Sequence, residues 1–116
     1  MATSSITQRD WVLVGMSTSS TIIDTTRPPT LRLDAGARAS GFAGCNRFSG
    51  SFALRGDSLS FGALAATKMY CAATDHVERV FLTILERTKT YSLSDATLTL
   101  RSHDGLEAIF RPAHSK

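Results

Sequence analysis

Apolar and polar residues alternate along most of this chain with a period of two. Leu31 and Leu33 alternate with Thr30, Arg32 and Asp34; Phe52 and Leu54 with Ser51, Ala53 and Arg55; Leu59 and Phe61 with Ser58 and Ser60. That period turns one side of an extended chain into a core and the other into water, so each segment predicts a half-buried strand. Trp11 to Val14 is apolar throughout and predicts a first strand buried on both sides. Arg38 to Ala43 predicts a strand with a glycine bend at Gly41. Later the same period returns in Tyr91 and Leu93, in Leu98 and Leu100, and in Leu106, Ala108 and Phe110. Ser94-Asp95-Ala96 and Asp104-Gly105 between them are turn chemistry. Ile22-Ile23 is short and ambiguous, and Arg27-Pro28-Pro29 punctuates the chain, since proline has a fixed φ and no N–H to donate.

One segment changes period. Val77, Val80, Phe81, Ile84 and Leu85 fall on a single helical stripe. Asp75 stands where a cap belongs, with Glu78 completing a capping-box pattern and Arg87 and Lys89 near the other end. These features predict one amphipathic helix over about 75–88. The order is therefore about five strands, one helix and three strands. A parallel sheet needs a crossover helix for nearly every strand pair, and one helix cannot supply them. The predicted fold is mainly β (α+β): a strongly curved, barrel-like antiparallel sheet of about eight strands with one amphipathic helix.

Composition narrows the class further. A chain of 116 residues is one domain, 1–116, large enough to bury a core without staples. Leu, Ile, Val and Phe supply 27 of its residues, more than a disordered chain carries. The net charge is +3, but no two of the 13 basic residues are adjacent. A nucleic-acid face needs clustered cations, and only a strand gathering Arg32, Arg38 and Arg55 offers one, so no nucleic-acid partner is expected. The longest apolar stretches run to about five residues, so no transmembrane segment is expected. Met1-Ala2-Thr3-Ser4-Ser5 has neither the basic nor the apolar region of a signal peptide. This fits a cytoplasmic protein or a mature chain whose leader is not included.

The densest unusual stretch is Ser40-Gly41-Phe42-Ala43-Gly44-Cys45-Asn46-Arg47-Phe48-Ser49-Gly50. A phosphate-cradling loop fails there, because no Gly-Lys-Ser/Thr ending and no helical pattern follow. A strand, a tight turn and the next strand fit better. Cys45 and Cys71 are the only cysteines. They read as a disulfide, as buried small hydrophobes, or with Cys45 as a nucleophile that would need a nearby imidazole. His76, His103 and His114 are scattered, so no metal site is expected. Arg55-Gly56-Asp57 matches an adhesion tripeptide but sits where a hairpin turn belongs. No paired carboxylates flank an obvious pocket; Asp10, Asp24, Asp34, Asp57, Asp95 and Asp104 fall mostly at strand edges and turns. No catalytic residues and no cofactor are expected.

The order of these features resembles the META domain family, also called the HslJ-like heat-shock family. The resemblance runs over about residues 8–111. It is carried by Trp11 in the early strand, the Gly44-Cys45-Asn46 block, the downstream Thr67, Met69 and Cys71, and the helix with Glu78 and Phe81. It implies a mainly β, barrel-like domain with one helix, and favours a Cys45–Cys71 disulfide. The matching positions Trp11, Gly44, Cys45, Asn46, Thr67, Met69 and Cys71 carry no catalytic role in the family and look structural. The resemblance also implies the periplasm or cell envelope, with any lipid anchor in a missing leader, and links to heat shock and novobiocin resistance. Relatives in trypanosomatid parasites are linked to secretion and virulence.

The expected function is thus a non-enzymatic, monomeric envelope protein, related to stress or antibiotic resistance, that binds an envelope protein or peptide. Exposed sheet edges offer the route, since a partner strand can add there. The alternative is a small apolar ligand bound in a barrel-like pocket lined by Phe42, Phe48, Phe52, Phe61 and Phe110. A distant third is a thiol enzyme using Cys45.

Overall fold

The computed structural model describes residues 6–7, 9–16, 28–34, 36–72, 75–94 and 96–113. Ile22-Ile23, Asp24, Asp95 and His114 lie outside the described residues. In chain order the elements are β1 (Asp10–Met16), β2 (Thr30–Asp34), β3 (Arg38–Phe42), β4 (Arg47–Arg55), β5 (Ser58–Phe61), β6 (Ala65–Ala66), α1 (Asp75–Arg87), β7 (Thr88–Ser94), β8 (Thr97–Ser102) and β9 (Glu107–Pro112).

Every strand pair is antiparallel. Neighbours run β3-β2-β1-β9-β8-β7-β5-β4, and pairing of β4 with β3 closes this row into an eight-stranded barrel. β6 is the exception, lying outside the ring against β4 alone. The period of two explains the inside of the barrel. Trp11 and Leu13, Leu31 and Leu33, Phe48 and Phe52, Leu98 and Leu100, and Ala108 and Phe110 are all buried. The first strand obeys the same rule and is not buried on both sides: Val12 is half-buried and Val14 is 48% exposed. A barrel strand has one face in the core, and Val14 lies on the other. β3 runs through Gly41 in unbroken register, opposite Leu31 on one side and Phe48 on the other. Glycine is needed there for close approach, since a Cβ would collide with the Thr30 carbonyl oxygen.

The helix follows its stripe. Val77, Phe81, Ile84 and Leu85 are buried, and Thr88 closes its end by donating its hydroxyl to the Ile84 carbonyl at 2.8 Å. Asp75 does not precede α1 as a cap; it lies within the first turn and pairs with Arg79 at 3.0 Å. Phe81 reaches the barrel axis. Its ring meets Phe48 at 5.9 Å and Phe110 at 6.0 Å between centroids. β4 and β9 stand four places apart in the ring of eight, so Phe81 bridges opposite walls. Phe48, Phe52 and Phe110 belong to the core, and Phe61 packs against it. Phe42, the fifth of the rings expected to line a pocket, is half-buried outside this core.

Candidate functional site

The Gly-Cys-Asn block forms the turn from β3 to β4. Gly44 has φ +125°, a conformation that glycine alone adopts readily. It aims Cys45 at Cys71, and the two sulfurs are bonded, with Cα atoms 5.8 Å apart. In this bonded form Cys45 has no free thiol to act as a nucleophile. Ala43 donates its N–H to the Asn46 carbonyl at 2.8 Å and tightens the turn.

Asn46 is 3% exposed and uses its whole side-chain amide. Nδ2 donates to the Met69 carbonyl at 2.9 Å and to Glu78 Oε2 at 2.7 Å. Oδ1 accepts from the Met69 N–H at 2.7 Å and from the Thr67 hydroxyl at 2.8 Å. Two donors and two acceptors are all that a primary amide has, so a buried Asn here carries no unsatisfied group. Glu78 reaches across from α1: Oε1 accepts the N–H groups of Cys45 at 2.9 Å and Asn46 at 2.7 Å. The expected capping-box role for Glu78 is thereby corrected. Its carboxylate serves a turn more than thirty residues away in the chain, where orphan N–H donors are concentrated.

Gly44, Cys45, Asn46, Thr67, Met69, Cys71 and Glu78 thus meet in one cluster. Trp11 is elsewhere, buried in β1, donating its indole N–H to the Ile6 carbonyl at 3.0 Å. The cluster's side-chain polar atoms are spent on one another and on the protein's own backbone. What it presents outward is apolar. With its backbone clamped on both sides by Asn46, Met69 is 64% exposed, and Tyr70 beside it is 75% exposed. Sequence reasoning named Met69 as a motif position and missed this presentation. The signal available was Lys68-Met69-Tyr70 itself, where alternation lapses before the helix.

Other predicted sites separate. Arg55 ends β4, and Gly56-Asp57 form the exposed two-residue turn into β5. That turn closes the barrel: the Gly56 carbonyl accepts the Tyr91 hydroxyl and the Asp57 carbonyl accepts the Tyr91 N–H, each at 3.1 Å. His76 is exposed on α1 and His103 in the β8–β9 turn. A groove of about 410 Å³ lies over β2 and β3, lined by Arg32, Phe42 and Arg47 among others. Arg32 is already held by Asp34 at 2.7 Å and Asp10 at 3.2 Å. The hydrogen bond to Asp34, then that to Asp10, raises its already high pKa, so Arg32 keeps its charge and spends it on these two carboxylates.

A family model described as the META domain matches residues 4–115. Among solved structures, one titled "NMR structure of the protein from Burkholderia xenovorans" is 28% identical with a TM-score of 0.83, over 98% of this chain and 88% of that one. A second protein solved by NMR is 23% identical with a TM-score of 0.72, over 94% of this chain and 93% of that one. A crystal structure of a DUF4847 family protein from Bacteroides vulgatus ATCC 8482 is 10% identical with a TM-score of 0.68, over 96% of each chain. The last two share the fold. No curated protein matches the chain.

Proposed function

This chain belongs to the META domain family, and from that premise we propose that it is a non-enzymatic protein of the cell envelope that binds a protein or peptide, in stress or antibiotic resistance. The observation that carries the reading is the exposure of Met69 and Tyr70 on a segment pinned at Met69 by two hydrogen bonds to Asn46 and at Cys71 by the disulfide. Large apolar side chains exposed to water cost solvation, and a segment already pinned loses less entropy when covered. The Cys45–Cys71 bridge is compatible with an oxidising compartment and hence with export. A protein with the half-buried Glu78 carboxylate and both sulfurs engaged in holding a loop fits a binding role better than a catalytic one.

A photo-crosslinking residue placed in turn at Val14, Arg55 and Tyr70 tests this in cells. The expected outcome is one recurrent protein product from Tyr70, lost when Met69→Ser is added. Absence of a recurrent product from all three positions would overturn the reading.

A further inference from the structure

Closure of the barrel gives every ring strand a neighbour on each side, and β6 is the strand with a neighbour on one side alone among the described residues. The alternation of backbone groups extends its outer edge past Ala66. Ala65 is opposite Ser49, Ala66 opposite Phe48, and Thr67 donates its N–H to the Arg47 carbonyl at 3.1 Å. Met69 then bonds through both backbone groups to Asn46, whose side chain acts as the next rung. In an antiparallel ladder, alternate residues face the partner. Ala65, Thr67 and Met69 therefore face inward, and the N–H and C=O groups of Ala66 and Lys68 face away.

A groove of about 370 Å³ runs beside this edge, lined by Leu64, Ala66, Thr67, Met69 and Glu78 among others. A second, of about 450 Å³, flanks it, with Arg47, Ala66 and Thr67 in its wall. Gly50 lets the chain after β5 fold over β4: a Cβ there would lie 2.6 Å from the Ala63 carbonyl oxygen. The charges nearby have one sign to offer. Lys68 and Arg47 are exposed and form no ion pair with a carboxylate of the described residues. The neighbouring acids are engaged, Asp75 with Arg79 and Glu78 with Cys45 and Asn46.

We infer that the Ala66–Lys68 edge, with Met69 and Tyr70 beside it, is a docking site for an extended acidic peptide segment of a partner protein. The inference rests on the binding role proposed above and specifies its site and partner chemistry. A peptide strand would pair with the outward groups of Ala66 and Lys68, its carboxylates would meet Lys68 and Arg47, and its apolar side chains would cover Met69 and Tyr70. Outward backbone N–H and C=O groups favour a peptide chain, which can pair with them, over a lipid surface.

The test uses the oxidised full chain. Peptides selected on it from a random phage-displayed library are synthesised and titrated into nitrogen-15-labelled protein. The expected peptides carry Asp or Glu with alternating apolar residues, and shift and protect the amides of Ala66 and Lys68. Ala66→Pro removes one outward N–H without touching the ladder to β4, and should weaken binding by about tenfold, the worth of one good hydrogen bond. Lys68→Glu, a surface change that leaves the fold alone, should weaken it by a similar factor. The inference is overturned if the library yields no binder, if Ala66→Pro or Lys68→Glu binds like the parent, or if the protein instead binds vesicles of phosphatidylcholine and phosphatidylglycerol through this loop. Peptides that bind on another face, or a cellular product from Val14 or Arg55 alone, would remove this site and leave the wider binding role standing.

Discussion

Glu78 makes three hydrogen bonds with one carboxylate, all to the β3–β4 turn. Glu78→Ala would leave the N–H groups of Cys45 and Asn46 and one amide hydrogen of Asn46 without acceptors. Bonds to a charged group are worth more than neutral ones, so the loss should be roughly 2–4 kcal/mol. Urea unfolding should report it as a lower midpoint at unchanged slope. Glu78→Gln should cost less, because an oxygen still faces the two backbone donors, while its NH₂ meets Asn46 Nδ2 donor to donor. None of this was legible from sequence. Glu78 stands three residues after Asp75, which is a local capping pattern, and a local pattern carries no sign of a contact more than thirty residues away. Asp104, by contrast, was read as turn chemistry and serves there. The Ser102 hydroxyl donates to it at 2.6 Å, and Arg87 lies at 2.8 Å. That hydrogen bond, foremost, and the Arg87 charge hold its carboxyl below the usual Asp range against some desolvation. A depressed pKa in the fold means a stabilising contribution that is full above the unfolded value, about 3.9, and lost as pH falls through the folded value. A carbon-13 titration of the Asp104 carboxyl should therefore show a midpoint below that of a free Asp, and Ser102→Ala should move it up.

Between elements, the Cys45–Cys71 bridge fastens the β3–β4 turn to the chain entering α1, across a sequence separation of 26. A loop of that length removes enough unfolded-state entropy to stabilise the fold by about 3 kcal/mol. The double variant Cys45→Ala, Cys71→Ala should lose about that much. Hydrogen exchange should say where: amides of Lys68 to Ala72 should exchange faster, while those of β8 and β9, which pair in unbroken register from Leu98 to Arg101, should not change. The helix, the Asp104-Gly105 hairpin and most strands were legible because burial imposes a period, and period survives in the letters. β6 was not, since Ala65-Ala66 has no contrast between its faces. β7 was overread: Tyr91 is only half-buried and Leu93 is 37% exposed. β7 meets β5 at a single register pair, Ser58 with Thr90, so this seam leaves one side of β7 to solvent and to the turn at Gly56.

At the scale of the whole molecule, the question a barrel poses is what fills it. Eight strands enclose just enough room for side chains or for one small ligand. Here the answer comes from outside the sheet, because α1 lays Phe81 between Phe48 and Phe110 on opposing walls. The ring does two things at once. It fills the axis, and it fastens the helix that carries Glu78, so the filled interior and the rigid surface loop are one construction. Phe81→Ala separates them. Truncating a fully buried phenylalanine should cost about 3–5 kcal/mol, through lost burial and the void left behind. Because the surrounding core is apolar, that void should stay dry and accept a ligand of the missing ring's shape. Benzene should then raise the melting temperature of the variant in a concentration-dependent way, as ligand linkage requires, and leave the parent protein unmoved. If the parent responds to benzene as the variant does, the interior is not full and a small-ligand function returns. If only the variant responds, the barrel is a scaffold whose contacts with other molecules are made from its outer surface.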